Sequence, residues 1–482
     1  MAFRRREALA RAGAAALAAI AGGPPARALA ALAGNQRSGD RELPAPDRRP
    51  DFVVIVLDDM RASDWAALRK TRRALAGGTT FPNYIVDAPL CAPSRAGLLT
   101  GMYTHNHGVR WNESDPPNTA AYSAYRQRGL DRKSIPWFLQ QAGYRTGMFG
   151  KFMNGYGPKT PRPAGWDRFV AAWNYRYTKF TLLEDGKETP VNERDYITDV
   201  LGDYARRFIA ETPFEQAMYL HLAPLAPHTS TFGVPEPDRR YANADASARV
   251  RRTPAYNEAD VSDKPTTVRA RPSLTLEQQA RIDTFEGLRL STLRSADDMI
   301  ASVVLALKQR GKMHNTCIFV LSDNGFMMGE HRMDMGKAVP YTGACQVPML
   351  AWGRPFGKKV DKRLVANIDI APTIASLAGV RLPAADGFSL VSKESRDYVH
   401  IDLRPQYGFE FSGHGLRSRQ LLYYEYANGE REFYDLRNDP MELSNLWPPG
   451  MPAPPAPGGL PGPTQLSSLL RRMDACRGTG CR

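Results

Sequence analysis

Apolar, mostly β-branched residues run without interruption through Asp51-Phe-Val-Val-Ile-Val-Leu57. Such a run predicts a strand covered on both faces, as in the interior of a parallel sheet. Asn315-Thr-Cys-Ile-Phe-Val-Leu321 predicts a second strand, and residues 214–222 a less regular third. Between them, apolar residues recur at helical spacing over 133–141, 197–211 and 275–310. Strands alternating with helices predict an α/β fold built on a large, mostly parallel sheet. Ligands bind such sheets beyond the carboxyl ends of the strands, so the residues after each strand are the first candidates for a site. Residues 229–270 are polar and charged and read as a long surface excursion. From about residue 395 the pattern changes. Gln420-Leu-Leu-Tyr-Tyr-Glu-Tyr426, Asn428-Gly429 and Glu432-Phe-Tyr434 predict a hairpin around an Asn-Gly turn. A smaller C-terminal α+β subdomain over 395–482 is therefore expected, with a Pro/Gly-rich loop at 447–463 and a short terminal helix.

Composition narrows the class without naming it. The chain has 482 residues, 43% apolar and 24% charged, which excludes a disordered or collagen-like protein. Five cysteines are too few for a disulfide scaffold. After the N-terminus no apolar run is long enough to span a bilayer, so no stable membrane insertion is expected. The formal charge of +14 suits an anionic partner. Arg4, Arg5 and Arg6 precede an Ala-rich stretch, and Ala28-Leu29-Ala30 offers a cleavage site. Residues 1–30 thus read as an export signal, with adjacent arginines that admit the twin-arginine type, and 31–50 as a linker. A frayed Ala-rich helix is the other reading of the same stretch. Export would place the protein in the periplasm or outside a bacterial cell.

Chemistry concentrates after the strands. Asp58-Asp59 follows the first, and Ser322-Asp323-Asn324-Gly325 ends the second. Carboxylate and amide oxygens are hard ligands suited to calcium or magnesium. Taken singly, the first pair also reads as a helix cap and the second as a turn. In Cys91-Ala-Pro-Ser-Arg-Ala-Gly-Leu-Leu-Thr-Gly101, the Pro suits the start of a helix. Backbone N–H groups there favour an anion, and Arg95 falls on the same side one turn later. Cys91 is then either a nucleophile at a positively polarised helix end or a buried capping thiol.

Cys-x-Pro-Ser-Arg followed by Leu-Thr-Gly resembles the signature of the type I sulfatases of the alkaline phosphatase superfamily. Further matches occur in family order: Gly143-Tyr-Arg-Thr with Gly150-Lys151, Ala226-Pro227-His228, Gly329-Glu-His331 and Gly336-Lys337. Ile368-Asp-Ile-Ala-Pro-Thr-Ile374 and Phe433-Tyr-Asp-Leu-Arg-Asn-Asp-Pro also match, so the resemblance spans 51–447. It implies an alkaline-phosphatase-like sheet, a catalytic domain over 51–394, and hydrolysis of sulfate monoesters. It further implies that a maturation enzyme oxidises Cys91 to formylglycine, whose hydrate is a geminal diol. One hydroxyl would take the sulfuryl group, and deprotonating the other would expel sulfate. By the same resemblance Asp58, Asp59, Asp323, Asn324 and residue 91 would hold calcium, or less favourably magnesium. Arg95 would hold the diol, Lys151 would contact it and the sulfate, and His228 and Lys337 would lie near the bridging oxygen.

Where many sulfatases have a proton-accepting His after Gly-Lys, this chain has Met153. Gly150-Lys-Phe-Met-Asn154 resembles the branch of glucosamine-6-sulfatases and related heparan-type enzymes, as does Tyr103-Thr-His105-Asn-His107. Asn154 and His331 are accordingly expected at the substrate. His105 and His107 read equally as supporting the site or as structural. Cys317 reads as a core thiol, and Cys476 with Cys481 as a candidate small-loop disulfide after export. A sulfated sugar is the expected substrate, with no nucleic-acid partner. Two alternatives stand: a phosphonate monoester or phosphodiester hydrolase of the same superfamily, and a non-catalytic binder of sulfated glycans.

Overall fold

The Asp51–Leu57 run forms strand β1, and all seven residues are buried. Its alternation explains its uninterrupted apolar character. Phe52, Val54 and Val56 enter one hydrophobic cluster, while Val53, Ile55 and Leu57 enter another. Both faces of the sheet are covered, so both sets of side chains must be apolar. Each fully buried Val or Ile contributes about 1.5–3 kcal/mol. This computed structural model describes residues 49–112, 121–189, 191–404 and 409–482. The expected export signal and nearly all of the expected linker lie outside them.

Three further strands follow in the chain: β2 (Arg145–Gly150), β3 (Met218–Ala223) and β4 (Thr316–Ser322). Side by side in the order β4-β1-β3-β2 they run parallel, continued by parallel Arg168–Ala172. Short strands extend this core to ten, with antiparallel pairing where Met349–Trp352 joins β4 and Leu182–Glu184 joins Arg168–Ala172. The sheet is therefore mixed and mostly parallel.

Helix α1 (Cys91–Thr100) lies on one face of the sheet. Helices α2 (Ile197–Glu211) and α3 (Leu276–Gln309) lie on the other. Helix α3 starts at Thr275, whose hydroxyl accepts from the Gln278 N–H while the Gln278 side chain accepts from the Thr275 N–H. This reciprocal cap satisfies two orphan donors and fixes the helix start.

Near the C-terminus, β5 (Val399–Leu403), β6 (Gly413–Arg417), β7 (Leu421–Tyr426) and β8 (Arg431–Asp435) form an antiparallel sheet. The β7–β8 turn carries Asn428-Gly429, and Gly429 has φ 87°, a conformation that favours glycine. Helix α4 (Pro463–Ala475) packs Leu466, Leu470 and Met473 into the cluster formed by this sheet, which also holds Ile85, Leu90 and Tyr341. Cys476 and Cys481 form a disulfide just after α4. Cys317 is buried in β4.

Residues 229–270 are mostly irregular, with a short 3₁₀ helix at Arg239–Tyr241 and a one-turn α-helix at Thr266–Arg269. The excursion is not purely a surface one. It buries Glu258 and Lys264, whose charges pair at 3.2 Å. Among the described residues no helix is long and apolar enough to cross a membrane.

Candidate active site

Four neighbouring strands end at one rim of the sheet, and each is followed by residues of one polar cluster. Asp323-Asn324 follow β4, Asp58-Asp59 follow β1, His228 follows β3 after a short loop, and Lys151 follows β2. Leu57 pairs with Ser322 in register, which brings Asp58 and Asp323 to the same level. The Ser322 hydroxyl accepts from the Met60 N–H at 2.8 Å and has the carbonyls of Asn324 and Leu57 within reach of its one proton, at 2.8 and 3.0 Å, tying the two strand ends together. Gly150 must be glycine. Its φ is 117°, and a Cβ there would lie 2.0 Å from the Ala223 carbonyl oxygen. That close approach lets the Lys151 N–H donate to the same carbonyl at 2.8 Å and sends the lysine into the cluster.

Helix α1 delivers Cys91 and Arg95. All ten of its residues are buried, and Gly101 ends it with φ 72°. The Cys91 sulfur lies 3.2 Å from Lys151 Nζ, 2.8 Å from Lys337 Nζ and 3.5 Å from Asp58 Oδ1. Arg95 Nε donates to Asp323 Oδ2 at 2.8 Å, and its Nη1 to the Lys151 carbonyl at 2.7 Å. Asp58 pairs with Lys151 at 2.5 Å, and Asp59 pairs with Lys337. The Asp59 N–H donates to Asp323 Oδ1 at 3.1 Å, and Asn324 Nδ2 donates to Asp59 Oδ1 at 2.7 Å. Ligand atoms of Asp58, Asp59, Cys91 and His228 all lie within 4.8 Å of one another. The Asn324 side-chain oxygen is buried beside them without a hydrogen-bond partner.

Burial and charge set the protonation states. Burial raises the Asp58 carboxyl, but Lys151, His228 and Arg95 outweigh it and hold the group well below the usual range. Asp59 is likewise lowered against burial, chiefly by Lys337. Burial opposes the charge on Lys337, yet Asp59 holds its pKa well above the ordinary value. Lys151 is raised in the same way by Asp58. Burial pushes the Cys91 thiol up to about 11 despite both lysines, so at neutral pH it is an un-ionised thiol and a poor nucleophile. His228 is lowered by burial and by Lys151. Its Nδ1 lies 2.7 Å from the Thr229 carbonyl, which only accepts, so Nδ1 carries the proton. Nε2 then faces Asp59, 3.7 Å away, with a free lone pair.

Nine of the eleven expected site residues meet here: Asp58, Asp59, Cys91, Arg95, Lys151, His228, Asp323, Asn324 and Lys337. His331 does not join them. It is 1% exposed, its Nδ1 sits 2.6 Å from Glu258, and its ring packs on Tyr341 at 4.4 Å. Glu258, from the excursion after β3, holds this histidine within the fold. Asn154 has a buried side-chain oxygen without a hydrogen-bond partner, and its backbone carbonyl accepts from Tyr122. Among the described residues it makes no hydrogen bond to the cluster. His107 is fully buried and accepts the Val109 N–H, a structural placement. Cys345 is buried with its thiol toward the carbonyls of Val339 and Pro340.

Two contributors had no sequence signal. Arg289, in the middle of α3, donates to the Asp59 carbonyl at 2.6 Å and pairs with Asp64 at 2.9 Å, bracing the Asp59 turn from behind. Tyr175 lies under Lys151, with the ammonium 5.1 Å from its ring centre. Tyr175 also has φ 45°, a strained conformation for a bulky residue that costs about 1–3 kcal/mol and is concentrated at functional sites.

The family model for sulfatases matches residues 50–380. A human N-acetylglucosamine-6-sulfatase is 31% identical over 366 residues, covering 72% of this chain and 64% of that protein. An arylsulfatase of Volvox carteri is 29% identical over 514 residues, covering 91% of this chain and 76% of its own. A protein solved in complex with its substrate D-glucosamine-2-N,6-O-disulfate shares the fold, with TM-score 0.73 at 20% identity over 89% of this chain and 98% of that one. With the matched segment covering both acidic strand ends, Cys91, His228 and Lys337, the chain belongs to the sulfatase family and is a sulfuric ester hydrolase.

Proposed function

We propose that the protein is an exported hydrolase of sulfated sugars that works through formylglycine at position 91 and a bound calcium ion. The observation that carries the first part is the state of Cys91. A thiol pushed up to about 11 and wedged between two ammonium groups is ill suited to attack as it stands. The hydrated aldehyde would supply two hydroxyls, one to attack sulfur and one to release sulfate. The metal part rests on donor chemistry. Asp58, Asp59 and Asp323 are ionisable hard oxygen donors, and the unbonded amide oxygen of Asn324 is the fourth. These residues, with position 91, would hold the ion, which would polarise oxygens bound to it.

This chain's own side chains then divide the work. Arg95 and Lys151 lie beside position 91 and neutralise charge that develops there. Met153 cannot accept a proton, so the neutral Nε2 of His228 is the base we assign to the hydroxyl at position 91. Lys337 keeps its proton at neutral pH and lies within reach of the reacting atoms, so it protonates the departing alkoxide as the S–O bond breaks. Similarity to an N-acetylglucosamine-6-sulfatase and the basic charge support an aminosugar 6-sulfate as the substrate. Protein matured at Cys91 should hydrolyse N-acetylglucosamine 6-sulfate in steady-state assays faster than an aryl phosphodiester. Preference for the phosphodiester would instead assign it to phosphoester chemistry. Glycan binding with no turnover of either, surviving Cys91→Ala, would make it a binder.

A further inference from the structure

Two loops meet beside the strand-end cluster, and they expose groups that the hydrolysis itself does not use. One follows Arg168–Ala172 and carries Trp173, Tyr175 and Arg176. The other continues from His228 to Val234. The Thr231 N–H donates to the Tyr175 carbonyl at 3.0 Å, and the rings of Tyr175 and His228 are 6.4 Å apart. Tyr175 also meets Lys151, so both loops are anchored at the cluster. Arg176, the next residue, lays its guanidinium over the Phe232 ring, 4.9 Å from its centre.

The two side chains are left open in different ways. Phe232 is 64% exposed; Val234, two residues on, and Trp173, on the other loop, are exposed as well. Arg176 forms no ion pair with any described carboxylate, and its Nε is buried without a hydrogen-bond partner. A guanidinium has five donors in a planar fork that matches carboxylate and sulfate oxygens. Stacking on an aromatic ring holds that fork in place. An exposed aromatic beside a fixed, unpaired cation suits a sugar ring that carries an anionic group.

We propose that Arg176 and Phe232 form a subsite for an acidic saccharide. Phe232 would pack against the ring and Arg176 would bind a second anionic group, a sulfate or a uronate carboxylate, distinct from the sulfate being cleaved. The inference deepens the glycan-hydrolase reading and rests on it. It adds that the preferred substrate is charged twice.

Binding and turnover test it together. With the calcium-loaded Cys91→Ala protein, calorimetry would compare glucosamine 6-sulfate, glucosamine 2-N,6-O-disulfate and a uronate-linked glucosamine 6-sulfate. Adding Arg176→Ala should weaken at least one doubly charged probe tenfold or more beyond its effect on the monosulfate. The probe that suffers identifies the anion as sulfate or carboxylate. Arg176→Lys should recover part of the loss, and Phe232→Ala should weaken all three sugars. In the matured enzyme the same excess loss should appear in kcat/KM relative to an aryl sulfate. Equal losses on singly and doubly charged ligands would overturn the subsite and leave the hydrolase reading intact. Failure to bind any of the probes would also overturn it. Arg176-dependent binding in a protein that hydrolyses no sulfate ester would uphold the subsite and overturn the hydrolase reading.

Discussion

Among the described residues several groups of metal-ligating side chains come together, and two of them differ in where their polar atoms go. At the strand ends, Asp58, Asp59, Cys91 and His228 converge within 4.8 Å. In the C-terminal sheet, His400, His414 and Asp474 converge just as closely. There the carboxylate is already saturated. Asp474 lies 3.0 Å from His400 Nε2, 2.9 Å from His414 Nδ1 and 2.8 Å from Arg404. Those contacts clamp α4 onto β5 and β6, and Arg404 supplies the positive charge a cation would otherwise bring. At the strand ends, by contrast, three carboxylates crowd together and an amide oxygen of Asn324 remains unbonded in the interior. A list of residue types would rank the two clusters alike. The clamp also leaves one buried atom without a partner, the His400 Nδ1, but its carboxylate is spent; unspent oxygen donors at the rim of a parallel sheet distinguish a site from a clamp.

The largest expected effect belongs to position 91. Cys91→Ala should lower turnover about a thousandfold or more with the fold intact, because a nucleophile's removal disables the unit it belongs to. Activity near wild type would end the mechanism. Next come paired substitutions in the two clusters. Asp323→Ala should lose bound calcium, measured by elemental analysis, together with activity. Asp474→Asn should keep both and lose about 1–3 kcal/mol in denaturant unfolding, the cost of breaking charged hydrogen bonds. Metal loss in the Asp474 variant would erase the distinction between the clusters.

Two smaller effects are read through pH. Asp474 is held below the usual carboxylate range, against burial, by hydrogen bonds from His400 and His414. A lowered folded-state pKa adds stability above the unfolded value of about 3.9 and loses it as pH falls below that. Asp474→Asn should therefore flatten the acid limb of an unfolding curve. Burial lowers His107 to about 3. The unfolded ring, with a pKa of about 6.5, takes up a proton first, so stability falls as pH drops from about 6.5 toward 3. His107→Gln should be less stable at pH 7 but lose less on going to pH 5. An unchanged loss would place the acid sensitivity elsewhere.

Long elements with a strong period were readable in the sequence. Both β1 and α2 have the ends that their patterns predict, and α3 begins and ends within one residue of its 275–310 pattern. Strands of two to four residues, such as Thr79–Thr80 and Met349–Trp352, are too short to carry a period. The strand order was also hidden, because nothing in one sequence says that β4 and β3 flank β1. The local motifs around Cys91, Gly150-Lys151 and Asp323 were legible because each is a strand end or a helix start with its chemistry attached. Arg289 and Tyr175 were not, since they reach the cluster only through packing of distant elements. His331 shows the converse: a motif residue captured by Glu258, whose position depends on an irregular segment with no pattern to read.

The central claim is that residue 91 works as an oxidised cysteine. The direct test is the mass of the peptide spanning residue 91, taken from a preparation that demonstrably hydrolyses a sulfate ester. Conversion to formylglycine predicts a peptide about 18 Da lighter than the thiol form, in proportion to the activity. A fully active preparation carrying only the unmodified thiol would contradict the account.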